Sequence, residues 1–475
     1  MDSATSSKGL PRAAAALAIL YLLWMAYAIT VQQPLSVDGC HFFLKLLEER
    51  WFVYGDDVAR HHAHYLTQAL TVLLARGFGV RDLGVLSWAF CSGLFLPQVV
   101  GLAASYLAVR KTDFRFLIFP VLTLLVASAN ESFNLVHESQ ATTSLFWPLF
   151  FCVLLGKEYH LANTVGVLIL ALLFIRTYET VAVLGAVLLV LLGMRMRGEW
   201  KGASGLTRAL WVALTVILLA GVAVAVRSVL VPRVPGNRAD FFASLPRLLE
   251  HWPFLLSAGY LAAITLFAMV APIGRLEWPY RIALIVLVPL TLFVGLVPAV
   301  APELTRPGIH HAARGAIVLV PAFLAVPAFL VVRGLVSVPH ATWGRLWRLV
   351  AMLAVGQLAF QVLATAQWNG FRTVFSQELR RHRGPTPFAT TVLAKEREGM
   401  QLIRPMTWAW TQPTLSIVWA PDQMVQTLIL NPPIEAAHWQ PFDPVRVEEL
   451  PHLERYGFSF GPYIDALGRV DVPVR

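Results

Sequence analysis

Apolar residues in this chain occur in runs of roughly 15 to 25 positions that are separated by short polar segments, and about 20 apolar residues make a helix that crosses a bilayer. Runs of this kind predict about eleven transmembrane helices. They lie at about 13–31, 84–109, 116–129, 141–155, 161–175, 181–194, 210–231, 254–272, 282–301, 315–332 and 349–366. The hydropathy pattern therefore predicts an α-helical polytopic membrane protein.

The composition agrees with this fold class. Of the 475 residues, 57% are hydrophobic and 14% are charged, whereas soluble domains carry roughly 25% charged residues. The formal net charge is +10, but the basic residues lie mainly in short segments between spans. That placement is typical of membrane topology and lipid headgroups rather than of a nucleic-acid-binding surface. The three cysteines lack paired spacing, which excludes a disulfide framework and a thiolate metal site.

The distribution of charge also predicts which ends of the spans face the cytoplasm. One set of connections is nearly all net basic, at 110–115, 156–158, 195–208, 275–281 and 333–348. The positive-inside rule then places the N-terminus inside, and an odd number of spans places the C-terminal tail outside. Arginine outnumbers lysine, and alanine and leucine are abundant, which favours the inner membrane of a bacterium with a GC-rich genome.

The chain divides into a transmembrane domain, 1–366, and a tail, 367–475. The tail is polar, rich in proline and tryptophan, and has no spanning run. Its stretches at 415–419 and 425–430 are typical of short strands, so we expect a small extracytoplasmic α/β domain.

The longest predicted outer loop is the first, at about 32–83. Within it Phe43, Leu46, Leu47 and Trp51 follow helical spacing. This pattern predicts an amphipathic helix that is able to lie in the membrane interface.

Unusual polar residues gather in the segments that are predicted to lie outside. In chain order they are Asp38; Arg60, His61, His62 and His64; Glu131, His137 and Glu138; Arg176 and Glu179; and Glu303, His310, His311 and Arg314. Charged residues at membrane depth are costly to desolvate unless they have a partner or a task. The predicted inner segments show no comparable set of histidines and carboxylates. This asymmetry predicts a site that opens outward at the membrane boundary.

Each of these residues also has a purely structural interpretation. Asp38 suits a solvated loop or the N-cap of the following helix. Arg176 and Glu179 suit an ion pair across one helix turn. The histidines at 61, 62 and 64 suit an exposed helix face better than a metal cluster, and Arg314 suits interfacial snorkelling.

The residue types suit chemistry on a lipid-linked phosphate. Arginine binds phosphate oxygens in a planar, bidentate manner. A carboxylate takes a proton from an acceptor hydroxyl as a general base. A divalent cation such as Mg²⁺ or Mn²⁺ would stabilise the leaving anion in the same way as arginine, with Asp38, Glu131 and Glu138 as its candidate ligands.

In its architecture the chain resembles the GT-C superfamily of integral-membrane glycosyltransferases, which use polyprenyl-phosphate-linked sugars. Members have an N-in first span and then a long outer loop with a catalytic acid soon after the span. Asp38 stands at that position, although the usual second acid is replaced here by Gly39. Many members also end in an outer soluble domain, as predicted for this chain.

The resemblance extends to two later segments. Glu131, His137 and Glu138 match a second acidic site in the next outer loop, and Arg314 with Pro321 is similar to an arginine that enters a late span. The resemblance implies catalytic roles for Asp38, Glu138 and His137. Together with the polar residues that gather in the other predicted outer segments, it predicts a substrate-binding set made of Arg60, His64, Arg176, Glu179, His310, His311 and Arg314.

The resulting hypothesis is a membrane glycosyltransferase that moves a sugar from a polyprenyl-phosphate-linked donor to a glycan, lipid or protein acceptor at the outer face, with Asp38 as the candidate general base. Three other functions stay open. A transporter or flippase for a lipid-linked or anionic solute predicts charges buried within spans and inverted repeats. A non-catalytic envelope assembly protein predicts no convergent site. Another outward-facing lipid-phosphate transferase or ligase shares the same chemistry.

Overall fold

The computed structural model describes most of the predicted transmembrane domain and short parts of the tail. The described residues are 3–36, 39–53, 58–127, 138–156, 159–231, 309–335, 337–381, 389–391, 412–419, 428–430 and 453–456. Their helices are α1 (Ser3–Thr30), α2 (Gly39–Glu49), α3 (His61–Val72), α4 (Leu83–Val109), α5 (Ile118–Val121), α6 (Glu138–Leu155), α7 (Leu161–Phe174), α8 (Val181–Glu199), α9 (Gly205–Leu230), α10 (Ile309–Val332), α11 (His340–Arg381) and α12 (Gln412–Val418).

Shorter turns connect or extend these helices. Single 3₁₀ turns lie at Gln33–Leu35, Val58–Arg60, Phe114–Leu117, Trp200–Gly202 and Glu454–Tyr456, and wider π-type turns lie at Leu73–Gly77 and Leu122–Ala127. The π-type turns directly follow α3 and α5 in the chain.

Four of the described helices are long and apolar enough to cross a membrane, at Leu83–Val109, Val181–Gly202, Gly205–Leu230 and Thr342–Arg381. Shorter apolar helical segments coincide with further predicted spans, at Ala14–Thr30, Phe114–Val126, Leu161–Phe174 and Val320–Val332. This architecture fits a helical membrane protein, while the total of about eleven spans stays a prediction. The spans predicted at 254–272 and 282–301 lie outside the described residues.

Helix α6 lies between α4, α7, α8 and α10, and nearly all of its side chains are buried. The sequence of α6 changes from polar to apolar along the helix. The first half, 138–144, is polar and reads ESQATTS. The second half is apolar, and its fully buried side chains include Phe146, Trp147, Phe150 and Phe151. The predicted outer half of α6 thus carries polar side chains, and the predicted inner half carries apolar and aromatic ones.

Helices α4 and α6 approach each other closely at Gly101. A Cβ atom at this position would lie 2.3 Å from the backbone carbonyl oxygen of Ser144. Backbone atoms of a packed helix cannot move aside as a flexible side chain can, so only glycine fits here.

We expect Gly101→Ala to lower the free energy of unfolding by roughly 1–3 kcal/mol, because the added methyl group overpacks the α4–α6 contact. Gly193→Ala is the matched control, since a Cβ at Gly193 in α8 meets nothing within 4 Å. Chemical denaturation in detergent measures both variants. If the two alanines change stability equally, the close helix contact does not exist in the protein.

The end of the bundle that is predicted to face the cytoplasm is held together by arginines. Arg333 donates to Glu199 at 2.8 Å, and Glu199 also accepts from Arg195 at 3.0 Å. Arg195 additionally donates to the backbone carbonyls of Val153 and Gly156 at the end of α6. These residues come from three segments that were all assigned to the same side, so the contacts agree with the predicted alternation of the spans. Which side is cytoplasmic stays a prediction.

The first outer loop packs against protein at the far end of α11. Helix α2 is amphipathic as predicted, but Phe43, Leu46 and Leu47 are buried in one apolar cluster with Trp368 and Phe371 of α11. Protein rather than lipid therefore covers Phe43, Leu46 and Leu47 of this face, while Trp51 stays exposed. The physical reason is that α11 continues past the predicted span end at 366 and supplies an apolar surface that competes with lipid.

The tail contributes two short described segments with different outcomes. The stretch 415–419, predicted as a strand, instead lies largely in helix α12, and that prediction is wrong. Leu415 and Ile417 of α12 are buried in the same cluster as α2, so tertiary packing overrides the β-branched local sequence. Within 425–430 the strand prediction is confirmed for Leu428–Leu430, which pairs in parallel with Ala389–Thr391. The complete α/β domain stays a prediction.

Candidate functional site

Arg60 and Glu179 join the first and third predicted outer loops. Arg60 ends the short turn before α3, and its Nε and Nη2 atoms donate to Glu179 Oε1 at 2.9 and 2.7 Å. The guanidinium also lies 4.7 Å from the ring centroid of Tyr178. The side chains of Arg60 and Glu179 are 26% and 16% exposed, so the pair is partly shielded from solvent but still reachable.

The charge of Arg60 is stabilised by its surroundings. Burial alone lowers its pKa, but Tyr178 and the carboxylates of Glu179 and Glu138 raise the pKa above its ordinary value. Arg60 is therefore a permanent cation at any physiological pH. Its Nη1 atom makes no hydrogen bond to the described residues and is available to an anionic ligand.

His64 and Glu138 form a second contact beside this pair, between the first and second predicted outer loops. His64 Nε2 lies 3.7 Å from Glu138 Oε1, and the two side chains are 6% and 13% exposed. This distance is longer than a hydrogen bond. Among the described residues Nε2 has no hydrogen-bond partner, and the Phe42 ring covers the imidazole with centroids 5.2 Å apart. Arg60, His64, Glu138 and Glu179 are called the outer cluster below.

Burial sets the protonation of His64. It lowers the pKa of His64, Glu138 opposes this by raising it, and Arg60 lowers it further, with a net decrease from the ordinary value. His64 is therefore neutral around pH 7.

Gln68, one helical turn after His64, fixes the other side of the imidazole ring. Its Nε2 atom lies 3.2 Å from His64 Nδ1. The amide group is itself held by the backbone of Val53, because Oε1 accepts from Val53 N at 2.8 Å and Nε2 donates to Val53 O at 3.3 Å. Gln68 is not among the residues that the sequence predicted for the site, although its i+4 spacing from His64 on a helix is a signal that the sequence contains.

Arg176 contacts the start of α3 and so positions the neighbouring histidines. Its Nη2 atom lies 2.7 Å from His61 Nδ1, and its Nε donates to Val58 O at 2.8 Å. The backbone carbonyl of Arg176 accepts from His62 N at 2.9 Å. Glu179 pairs with Arg60 from another loop, so the expected pairing across one helix turn does not describe its main contact.

The three histidines of α3 do not form one exposed face. His64 is buried, whereas His61 and His62 are half-buried and contact the loop around Arg176. The expectation of an exposed histidine face is therefore wrong for His64, because its ring packs against Phe42 of α2 and lies beside Glu138 of α6. Within the described residues no group of three or more His, Cys, Asp or Glu side chains is placed to hold a metal ion.

Several predicted site residues do not belong to the part of the chain that the structure describes. Asp38, Glu131, His137 and Glu303 lie outside the described residues. His310, His311 and Arg314 lie in the first turns of α10, where the structure describes the backbone alone. The structure thus brings together five predicted site residues, Arg60, His64, Glu138, Arg176 and Glu179, and it adds Gln68 and Tyr178.

Comparisons with protein-family models, with curated proteins and with solved structures find no match to this chain. The GT-C resemblance therefore rests on the sequence features alone.

The outer cluster combines three chemical functions within one shielded region. Arg60 is a permanent cation, Glu138 is a carboxylate that can accept a proton, and His64 is a neutral imidazole with one unsatisfied nitrogen. A cation beside a base suits a reaction in which a proton is removed from one group while negative charge develops on another.

Proposed function

We propose that this protein is a membrane glycosyltransferase of the GT-C type that transfers a sugar from a polyprenyl-phosphate-linked donor to an acceptor at the outer face of a bacterial inner membrane. The observation that carries the proposal is the partly buried contact of His64 with Glu138 beside the Arg60–Glu179 ion pair. Surface ion pairs contribute little to stability, and buried ones are costly to desolvate. A cluster of such groups at the end of an apolar bundle therefore favours a functional role.

The proposed step assigns a role to each group. The acceptor hydroxyl loses its proton to a carboxylate, and Glu138 is the carboxylate that the described geometry supports. The hydroxyl oxygen uses a lone pair to bond the anomeric carbon of the sugar. The bond from that carbon to the phosphate oxygen breaks, and polyprenyl phosphate leaves with the electron pair. The permanent charge of Arg60 stabilises the leaving phosphate.

Other parts of the proposal extend beyond the described residues. Asp38 is the alternative base that the sequence favours, and Arg314 is the proposed second phosphate ligand. With Glu138 acting as the base, a divalent cation held by the other two candidate ligands, Asp38 and Glu131, would supply further positive charge to the phosphate. About eleven spans and a C-terminal extracytoplasmic α/β domain complete the proposed architecture.

The interior of the bundle supports an enzyme over a transporter. The second half of α6 is packed with aromatic side chains, including Phe146, Trp147 and Phe150. Trp147 stacks on Phe119 of the neighbouring segment, with ring centroids 5.8 Å apart. Among the described residues, the side chains around this half of α6 are mainly apolar and aromatic, which favours access to the polar region from the other end.

A second candidate, transport of a lipid-linked or anionic solute, is favoured by one observation. A buried polar chain links three helices, because the Tyr21 hydroxyl donates to Gln98 and the Gln98 amide donates to Gln140. Polar side chains inside a membrane bundle often mark a solute path.

One experiment separates the two functions. The purified full chain is reconstituted in liposomes and incubated with a panel of polyprenyl-phospho-sugars and hydroxyl acceptors, with nucleotide sugars as controls. We expect release of polyprenyl phosphate and transfer of the sugar from at least one lipid-linked donor. Movement of the intact donor between leaflets without bond cleavage would instead establish the transporter, and the absence of both would contradict the two proposals together.

A further inference from the structure

We propose that Gln68 locks His64 in the tautomer that carries its proton on Nε2, so that His64 donates a hydrogen bond to the acceptor hydroxyl beside Glu138. This inference rests on the proposed function and specifies the class of acceptor. In this arrangement His64 contacts the substrate, and Gln68 is a positioning residue that acts through His64.

The first step concerns the orientation of the Gln68 amide. A side-chain amide has one oxygen acceptor and one nitrogen donor, and the two can exchange places by a flip. Val53 selects one orientation, because its N–H faces Oε1 at 2.8 Å and its carbonyl oxygen faces Nε2 at 3.3 Å. In the reversed orientation the Val53 N–H would face the amide nitrogen, which is also a donor. The Val53 carbonyl oxygen would face the amide oxygen, which is also an acceptor.

The second step follows from the chemistry of imidazole. With its orientation fixed, Gln68 presents an N–H group to His64 Nδ1 at 3.2 Å. Nδ1 must then be the acceptor nitrogen, and a neutral imidazole carries its single proton on the other nitrogen. His64 Nε2 is therefore an N–H donor, and it lies 3.7 Å from Glu138 Oε1.

The third step uses the separation of Nε2 from Glu138. The 3.7 Å between Nε2 and Oε1 is too long for a direct hydrogen bond. A single oxygen atom placed to one side of the pair can lie about 2.8 Å from both atoms. That oxygen would accept from His64 and donate its own proton to Glu138, which is the bonding pattern of a hydroxyl group.

The arrangement also selects among nucleophiles. A hydroxyl oxygen has two lone pairs, so it can accept the His64 hydrogen bond with one and attack the anomeric carbon with the other. An amine nitrogen has one lone pair, and a hydrogen bond from His64 would occupy it. The geometry therefore points to alcohol acceptors, such as a sugar or lipid hydroxyl, rather than amines.

His62 supplies an internal control on the same helix. Its Nδ1 lies 2.6 Å from the carbonyl oxygen of Leu172, which can only accept a hydrogen bond. His62 must therefore carry a proton on Nδ1, which is the nitrogen without a proton in the tautomer inferred for His64.

The test is nitrogen NMR of the full chain in liposomes with ¹⁵N-labelled histidine rings, where the His64→Gln spectrum assigns the His64 signals by difference. We expect His64 protonated on Nε2 and not on Nδ1, and His62 protonated on Nδ1. In Gln68→Glu the carboxylate accepts a hydrogen bond, so His64 Nδ1 becomes protonated while the His62 signals stay unchanged. Gln68→Met, which has no donor, is the second variant and is expected to raise the Nδ1-protonated share of His64.

Activity provides an independent readout. We expect Gln68→Glu to lower kcat/KM for an alcohol acceptor about tenfold, with the loss mainly in the acceptor KM and little change in the donor KM. A wild-type His64 that is protonated on Nδ1 alone would overturn the inference even if the enzyme transfers sugar. Correct tautomers in a protein that transfers no sugar would instead overturn the proposed function and, with it, the acceptor role.

Discussion

Replacing Glu138 with glutamine is expected to lower sugar transfer by roughly 10²- to 10⁴-fold, since this is the usual contribution of a positioned general base. Glutamine keeps the size and hydrogen-bonding shape of the side chain but cannot take the proton from the acceptor. The expected loss lies in kcat, with donor binding close to that of the wild type. Release of polyprenyl phosphate under saturating donor and acceptor measures it.

Glu199→Gln is the matched control for this substitution. Glu199 is a carboxylate that pairs with Arg195 and Arg333 at the opposite end of the bundle, so its neutralisation should leave transfer nearly unchanged. Asp38→Asn, made in parallel, decides between the two candidate bases. A Glu138→Gln enzyme with wild-type kcat, together with a large loss in Asp38→Asn, would return the base assignment to Asp38.

The Arg60–Glu179 pair is expected to stabilise the fold as well as the site. Arg60→Met should lower the free energy of unfolding by roughly 2–4 kcal/mol, because it leaves the Glu179 carboxylate shielded and without this partner. Adding Glu179→Gln to Arg60→Met should recover part of the loss, since the shielded negative charge is then removed. Denaturant unfolding of the two single variants and the double variant gives the coupling energy.

The exposed pair at the other end of the bundle is the control for this measurement. Arg333 and Glu199 also join distant segments, but their side chains are 39% and 38% exposed, so Arg333→Met should cost only about 0.2–1 kcal/mol. Additive effects of Arg60→Met and Glu179→Gln would show that the two side chains do not interact in the folded protein.

The convergence of the outer cluster followed from topology. Once the spans alternate, Arg60, Glu138 and Glu179 must lie at the same end of the bundle, because each follows or precedes a helix of known direction. Alternation does not determine which groups touch. Arg176 is three residues from Glu179 and was the expected partner, yet Arg60, which is 119 positions away in sequence, makes the ion pair.

Helix α12 and helix α2 illustrate a second kind of limit. Leu415 and Ile417 alternate with other residues as in a strand. Phe43 and Leu47 have the spacing of an amphipathic helix that could lie in the membrane interface. The sequence did not predict which residues surround these two helices, because both pack on the end of α11 that continues past residue 366. Burial against Trp368 then decided both cases.

The sequence by itself determined that the chain forms apolar helices suited to a membrane and that its histidines and carboxylates are concentrated at one predicted face. It could do so because hydrophobic periodicity and loop charge are local properties, set by the cost of placing polar groups in lipid. Only the tertiary structure decided that His64 is buried against Glu138, that Gln68 and Val53 orient its ring, and that Arg60 pairs with Glu179. These are contacts between segments distant in sequence, and they depend on ångström-scale packing of α3, α6 and the loop after α7 that no local pattern encodes.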